Sequence, residues 1–365
     1  MTGLRRCGAV LLLSAPALGA CVASAGPAAA QDPAAAPGQA LVYVTNQDEA
    51  TISIFDAGTL EPVETVDLQA LGFSPNAKPH HVAVEPDGSH WYVSLIGENR
   101  VLKLDRQNRV VGHAEFEVPG MLALDPRSNR LFVGRSMSAV NPPQRIGVID
   151  RGSMSIEEIP VLYPRPHALA VNPAEGVVYS ASLGENSMAV VDAEEEAVQL
   201  LPVEAPPESH GGHDVHMLMQ FALSPDGSTL VVSGEMSGRL LVFDLTNPRE
   251  PQLVRQVEVG PRLFDPIFSP DGRWVWVPSK DANTVSAIDA TTWTVAGVVE
   301  GEGLAEPHGT AFSPDGRYLF VTSNNLEGEY PGGKGTLTVI DPATREIVRV
   351  LQVGANATGV ATTPR

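Results

Sequence analysis

Short runs of alternating apolar and polar residues fill the chain from residue 41 onward. Alternation with a period of two predicts half-buried β-strands, and an aspartate directly after such a run predicts a tight turn. Seven runs end in this way: TISIFD at Asp56, RVLKLD at Asp105, RIGVID at Asp150, SMAVVD at Asp192, RLLVFD at Asp244, TVSAID at Asp289 and TLTVID at Asp341.

A second series of turns precedes these runs. Its members are VEPDG, LDPRS, VNPAEG, LSPDG and two copies of FSPDG, with Pro86, Pro126, Pro173, Pro225, Pro270 and Pro314. Each repeat therefore contains a strand, a proline turn, a strand, a loop, a strand, an aspartate turn and a strand. Six intervals separate Asp56 from Asp341, so the mean repeat is about 47 residues. Four strands at that period predict one blade of a β-propeller.

The two ends of the repeat region predict a closed ring. The first repeat begins at LVYVTN (Leu41–Asn46) and lacks an innermost strand, whereas ATGVATTPR (357–365) is an innermost strand with its turn proline and no following strand. The last strand is therefore expected to complete the first blade. The predicted fold is all-β, a seven-bladed propeller of four-stranded blades over residues 41–365, in which closure buries the blade faces against each other.

Three motifs carry a family resemblance. YVTN stands at 43–46, FVTSN at 320–324 and PHGTAFSPDGRYLFV at 307–321. On these motifs the chain from residue 41 onward resembles the YVTN-repeat, YncE-like propeller family. The resemblance implies the fold but not one function, since similar propellers serve as cell-surface modules, lactonases, lyases of the virginiamycin-inactivating type, d1-haem carriers and copper enzymes.

The first 40 residues have a different character. MTGLRRCGAVLLLSAPALGAC starts with positive charge, continues with an apolar run too short to span a bilayer, and ends at Cys21. LGAC resembles the lipobox of bacterial lipoproteins, so residues 1–21 are predicted to be a lipoprotein signal peptide with lipid on Cys21. Residues 22–40, rich in alanine and proline, are predicted to be a flexible tether.

This interpretation places the protein in the periplasm or at the cell surface, held to a membrane by its N-terminal lipid. The alternative is cleavage after the alanines at 28–30, which would give a soluble secreted protein.

Charge and cysteine content exclude several classes of function. The formal net charge is −19, which argues against nucleic acid as a partner. The only cysteines are Cys7 and Cys21, so the propeller can hold no disulfide, zinc-thiolate site or c-type haem attachment. The sequence also lacks the GxSxG, Walker, dinucleotide-binding and HExxH motifs.

The histidines concentrate at one predicted rim. The position six residues before each turn proline begins the innermost strand, at the mouth of the axial channel, and we call it the mouth position. It holds His80, Gly120, His167, Met219, Phe264, His308 and, in the split blade, Thr358. His81 follows directly, and SHGGHDVHMLMQ adds three histidines in the connection that enters blade five. The candidate metal ligands are His80, His81, His167, His210, His213, His216 and His308.

Loops between the second and third strands are expected on the same face. They contain Glu98, Glu185 and Glu235, which together with Met219 are candidates to support or contact a ligand. Neutral imidazoles with nearby carboxylates are typical of a transition-metal site, and the methionines favour copper over zinc, iron or manganese. Two structural explanations stay open: the histidines form hydrogen bonds within the channel without binding a metal, and Gly-Glu-Asn is a sequence typical of ordinary turns.

Three functions remain open at this stage. The first is a binding module whose top face docks a partner protein, polymer or cofactor. The second is a metal-dependent enzyme such as a copper oxidoreductase. The third is a lyase or lactonase in which His167 or His308 acts as general base beside a glutamate-bound Mg²⁺. The sequence alone does not decide whether the protein is an enzyme.

Overall fold

A computed structural model describes residues 39–195, 197–205 and 215–363. Within them the strands form seven antiparallel four-stranded sheets, arranged as blades around a ring. The predicted seven-bladed, all-β propeller is therefore confirmed. The only helical element in these ranges is a single 3-10 turn at Ile96–Glu98.

Every blade repeats one antiparallel order from the axis outward. Blades one to four contain β1 (Leu41–Asn46), β2 (Thr51–Asp56) and β3 (Pro62–Asp67); β4 (Pro79–Val84), β5 (His90–Leu95), β6 (Arg100–Asp105) and β7 (Val110–Glu115); β8 (Pro119–Leu124), β9 (Arg130–Arg135), β10 (Arg145–Asp150) and β11 (Ile156–Pro160); and β12 (Pro166–Val171), β13 (Val177–Ser182), β14 (Ser187–Asp192) and β15 (Ala197–Pro202).

The remaining blades follow the same order. They contain β16 (Leu218–Leu223), β17 (Thr229–Gly234), β18 (Arg239–Asp244) and β19 (Gln252–Glu258); β20 (Ile267–Phe268), β21 (Trp274–Ser279), β22 (Thr284–Asp289) and β23 (Thr294–Glu300); and β24 (Pro307–Phe312), β25 (Leu319–Ser323), β26 (Thr336–Asp341) and β27 (Glu346–Gln352). The last strand, β28 (Ala357–Thr362), belongs to blade one.

The two repeated turns owe their shape to local hydrogen bonds. Asp56 Oδ1 accepts the backbone N–H groups of Gly58 at 2.9 Å and Thr59 at 2.6 Å, and each of the other six strand-ending aspartates likewise accepts backbone N–H groups. In the proline turn of blade seven, the Ser313 hydroxyl donates to Asp315 at 2.6 Å. These side chains satisfy turn N–H groups that have no ladder partner, so their role is structural.

Blade faces are buried against their neighbours. Tyr43 of blade one and Trp91 of blade two pack with ring centroids 5.1 Å apart, inside an apolar cluster shared by the two blades. Val44 and Val360 of blade one pack in turn with Phe320 of blade seven. Because each blade covers the next, the hydrophobic core continues around the ring.

The C-terminal strand closes the ring, as predicted. Strand β28 pairs with β1, and the Leu41 N–H donates to Thr363 Oγ1 at 2.9 Å while the Thr363 N–H donates to the Leu41 carbonyl at 3.0 Å. The Thr45 hydroxyl lies 3.0 Å from that of Thr358 and 2.9 Å from the carbonyl oxygen of His80 in blade two. The pairing of β1 with β28, which we call the seam, is therefore also connected to the second blade.

The predicted signal peptide, Cys21 and the tether up to residue 38 lie outside the described residues, as do His210, His213 and Pro364. Inside the described ranges, no helix has the length and apolar character needed to cross a bilayer.

Candidate functional site

Three histidines meet at the channel mouth. His80, His167 and His308 are each the second residue of an innermost strand, in β4, β12 and β24. The ring centroid of His80 lies 6.4 Å from that of His167 and 6.0 Å from that of His308. Side chains from blades two, four and seven thus converge because they share one position in the repeat.

A repeated backbone conformation precedes this position in every blade. Two residues before each mouth position, the chain adopts a left-handed φ between 48° and 56°, although none of these residues is glycine. They are Lys78, Val118, Arg165, Met217, Arg262, Glu306 and Asn356. A left-handed φ is uncommon outside glycine, so its sevenfold recurrence marks the sharp entry of the chain into the innermost strand.

Hydrogen bonds orient two of the three imidazoles. His167 Nδ1 lies 2.6 Å from the backbone carbonyl of Arg135, and His80 Nδ1 lies 3.1 Å from Gln47 Oε1. A carbonyl oxygen only accepts, so Nδ1 of His167 carries the proton and Nε2 keeps its lone pair. His308 Nδ1 is buried and has no hydrogen-bond partner in the part of the chain described.

Burial keeps these imidazoles neutral. It lowers the pKa of His80 to about 3 and that of His167 to about 4, and it lowers the pKa of His308 well below its ordinary value. Neighbouring imidazoles act in the same direction for His80 and His308. A neutral imidazole with a lone pair available is the form that binds a metal ion or accepts a hydrogen bond from a ligand.

Two of the predicted rim histidines lie elsewhere. His81 follows His80 on an extended strand and therefore points to another side; its Nδ1 accepts the Leu122 N–H at 3.3 Å. His216 uses both ring nitrogens, at 2.8 Å from the Ser237 hydroxyl and 2.8 Å from the Glu204 carbonyl. His216 therefore has a structural role in the described residues, and its assignment as a metal ligand stays a prediction.

The predicted supporting glutamates do not contact the imidazoles in the described residues. Glu98 accepts the Ser74 N–H at 2.9 Å, and Glu235 pairs with Arg262 at 2.9 Å. Glu185 lies half-buried in its loop. The groups that orient the imidazoles are instead Gln47 and a backbone carbonyl.

Met219 occupies the mouth position of blade five, as predicted. It packs in a small apolar cluster with Leu183 and Phe264, and the Phe264 ring lies 4.5 Å from that of His308. One wall of the mouth is therefore apolar and borders the imidazoles directly.

Positive charge at the mouth is a feature that the sequence interpretation missed. A cavity of about 170 Å³ is lined by Lys78, Arg262 and Lys280 together with His80 and His308. The signal was present in the sequence, because the position two residues before the mouth position contains Lys78, Arg165 and Arg262.

A buried acid lies further along the channel. Asp265 and His81 line a second cavity of about 380 Å³, and burial alone raises the pKa of Asp265 to about 7. The Asp265 backbone lies beside blade seven, with its N–H 3.3 Å from the His308 carbonyl. The channel therefore contains a carboxyl group that changes charge near neutral pH.

Within residues 39–195, 197–205 and 215–363, no three histidine, cysteine, aspartate or glutamate side chains are arranged so that they could hold a metal ion as they stand. The three imidazoles converge but do not yet form a coordination site.

Comparisons with known proteins identify the fold alone. The chain is similar to a functionally unknown protein from Desulfotomaculum acetoxidans, with a TM-score of 0.70 and 16% identity over 89% of this chain and 99% of the other. Kuenenia stuttgartiensis hydrazine synthase matches with a TM-score of 0.62 and 19% identity over 77% and 88%. A streptogramin B lyase matches with a TM-score of 0.62 and 15% identity over 77% and 86%.

No family model and no curated protein sequence matches the chain. The resemblance to the YVTN-repeat family therefore remains a prediction from sequence motifs. At these identities the structural matches support the propeller architecture and carry no activity over to this chain.

Proposed function

We propose that this protein is an extracytoplasmic, lipid-anchored binding propeller that takes up its ligand at the channel mouth, where His80, His167 and His308 bind a transition metal. The observation that carries the proposal is the convergence of three buried neutral imidazoles, of which His167 has Nδ1 fixed by a backbone carbonyl. This is the usual way in which proteins orient a ligating histidine.

The donor atoms suit such a metal, although the distances between the imidazole rings must become shorter. Imidazole nitrogens suit copper, zinc and iron, and Met219 at the same position in blade five favours copper. Two imidazoles that share a metal at about 2 Å have ring centroids roughly 5 Å apart. The observed separations of 6.0 and 6.4 Å therefore require the rings to move inward by about 1 Å when a metal binds.

Calorimetric titration with copper and with zinc tests this proposal. The parent chain, stripped of metal, should bind near one equivalent more tightly than about 10 μM, which corresponds to roughly 7 kcal/mol. His80→Ala, His167→Ala and His308→Ala should each weaken binding at least about tenfold, because each removes one donor nitrogen.

His113→Ala is the matched control, since His113 lies exposed on the outer strand β7 and should not affect binding. A parent affinity weaker than about 10 μM, or an equal loss in the His113 variant, would contradict a metal site at the mouth. The double variant His210→Ala/His213→Ala tests separately whether the blade-five connection supplies further ligands.

The second cavity favours one other candidate, an acid–base enzyme of the lyase or lactonase type. Asp265, with its pKa raised to about 7 by burial, could exchange a proton with a ligand near neutral pH, and His81 lines the same cavity. Screening lactones and macrocyclic esters with Mg²⁺ would test this candidate. If this candidate is right, Asp265→Asn loses turnover of the lactone or ester but still binds copper.

A further inference from the structure

The cavity at the channel mouth is lined by cationic side chains, although the whole protein is acidic. The chain carries a formal net charge of −19, yet Lys78, Arg262 and Lys280 line the 170 Å³ cavity and the described residues contribute no carboxylate to its lining. Carboxylates are plentiful on the surrounding loops, so this distribution is specific to the cavity. A confined positive site with low-dielectric walls attracts anions.

Two of these three cations have incomplete counter-charges. Arg262 pairs with Glu235 at 2.9 Å and Asp281 at 3.2 Å. Lys280 is only 7% exposed, and its ammonium lies 3.8 Å from Glu306, whose other carboxylate oxygen accepts backbone N–H groups of the next loop. The Lys78 ammonium has neither an ion pair nor a hydrogen bond within the described ranges.

A buried ammonium is costly unless opposite charges compensate it, and the ion-pair partner of Lys280 within the described ranges, Glu306, lies 3.8 Å away. Burial lowers the pKa of Lys280 from its ordinary value, which reflects this cost. An anionic group between Lys78 and Lys280 would supply the missing charge.

The cavity is small, and part of its wall is apolar while the rest is neutral and polar. Phe264, Met137 and Leu326 line it, and the Lys280 ammonium lies 5.2 Å from the centroid of the Phe264 ring. Leu326 is 58% exposed. His308, which also lines the cavity, has a buried Nδ1 without a hydrogen-bond partner among the described residues. A volume of about 170 Å³ equals that of roughly six water molecules, which limits the ligand to about ten heavy atoms.

We propose that the channel mouth binds a small organic carboxylate, with its anionic end between Lys78 and Lys280 and its apolar body against Phe264. This inference goes beyond the proposed metal site and does not depend on it, because Lys78, Lys280 and Phe264 are not among the proposed metal ligands, although His80 and His308 border both sites. The two sites are also compatible, because an anion at the mouth offsets the positive charge of a metal beside it.

Calorimetry on the full chain in the presence of EDTA tests the inference without metal. Benzoate and butyrate should bind with dissociation constants below about 1 mM. Benzamide, which lacks the charge, and inorganic phosphate, which lacks the apolar body, should bind at least about tenfold more weakly, because each loses one of the two interactions.

Lys78→Gln should weaken benzoate binding about tenfold, as expected for a hydrogen bond to a charged group. Lys334→Gln is the matched control: it removes the same charge from the same face, where Lys334 pairs with Glu49 outside the cavity, and should leave affinity unchanged. Because Lys280 is buried, Lys280→Arg is tested beside Lys280→Met, with melting temperatures, so that a folding defect is recognised.

Three results would overturn the inference: no benzoate binding below about 10 mM, equal affinity for benzamide, or equal loss in the Lys334 variant. If phosphate bound as tightly as benzoate, the ligand would not need an organic body, and the cavity would be a general anion site. His167→Ala should lose metal but keep benzoate binding, because His167 is not among the residues that line this cavity, so failure of one proposal is distinguishable from failure of the other.

Discussion

At the scale of single residues, Asp265 makes stability depend on pH in an unusual direction. Burial raises its pKa to about 7 in the folded state, whereas the unfolded value is close to 3.8. Between these values the folded chain binds the extra proton. A rise in pH from about 4 through 7 therefore removes stability, because the folded state must then bury an ionised carboxylate.

Replacing Asp265→Asn should remove this loss. We expect the melting temperature of the parent to fall between pH 5 and pH 8 relative to that of the variant, by several degrees, since each kcal/mol corresponds to about 2–4 °C in a protein of this size or smaller. Thermal melts at both pH values measure the difference. Asp87→Asn is the control, because hydrogen bonds from Ser89 lower the pKa of Asp87, which stays ionised throughout this range.

A melting temperature that falls more steeply with rising pH in Asp265→Asn than in the parent would contradict the raised pKa of Asp265.

The buried histidines change stability in the opposite direction. Their folded-state pKa values lie below the ordinary 6.5, so they remove stability as pH falls below 6.5, in the lower half of the tested range; this loss is common to the parent and to Asp265→Asn and cancels in the comparison.

The positions of the candidate side chains could be predicted where the repeat determines them, but not where tertiary partners do. His80, His167 and His308 share one position in the repeat, and the structure brings them together. His216 comes from an irregular connection, and its hydrogen bonds to Ser237 and Glu204 join segments far apart in sequence. No spacing rule reveals such partners.

At the scale of secondary-structure elements, the proline and aspartate turns made strand order predictable, because their hydrogen bonds are local. The exception is the innermost strand of blade six, which is reduced to Ile267–Phe268. Pro266 directly precedes it and has no N–H to donate, so the ladder cannot extend back toward Leu263, which forms only an isolated bridge with Ser279. Asp265 lies in this interrupted stretch, which explains why a charged residue borders the channel.

Strand β28 is the element on which closure depends. Deleting residues 357–365 removes the ladder partner of β1 and uncovers Val44 of blade one, so we expect a lower melting temperature and aggregation through the free strand edge. Calorimetry and light scattering measure both effects. A chain ending at residue 363 keeps the hydrogen bonds of Thr363 and should behave like the parent. Cooperative melting of the larger deletion at the parent temperature would refute the importance of this closure.

At the scale of the whole molecule, the fold could be predicted from the repeat but the activity could not. Different proteins with the propeller fold have unrelated functions, and the similar solved structures share only 15–19% identity with this chain. The proposed sites of this chain consist of a few side chains at the mouth, chiefly Lys78, Lys280 and the three imidazoles.

The predicted lipid anchor is tested on the intact chain. Cys21→Ser should move the protein from the membrane fraction to the soluble fraction, because the cysteine sulfur is the site of lipid attachment in a lipobox. Fractionation with immunoblotting measures the distribution. Cys7→Ser, in the same predicted signal peptide, is the control and should remain with the membrane. An unchanged distribution of the Cys21 variant would refute lipidation there and favour a secreted protein.

The seam between β1 and β28 gives the ring a mechanical weak point. The two strands are antiparallel, and residues 41 and 363 lie side by side at the same end of the pair. A pulling force applied at these two residues would therefore break the hydrogen bonds one after another, starting at Leu41 and Thr363 and moving toward Asn46 and Ala357. Such unzipping needs far less force than shearing all the bonds at once, so under load this ring would open at its seam while the other six blades keep all four strands.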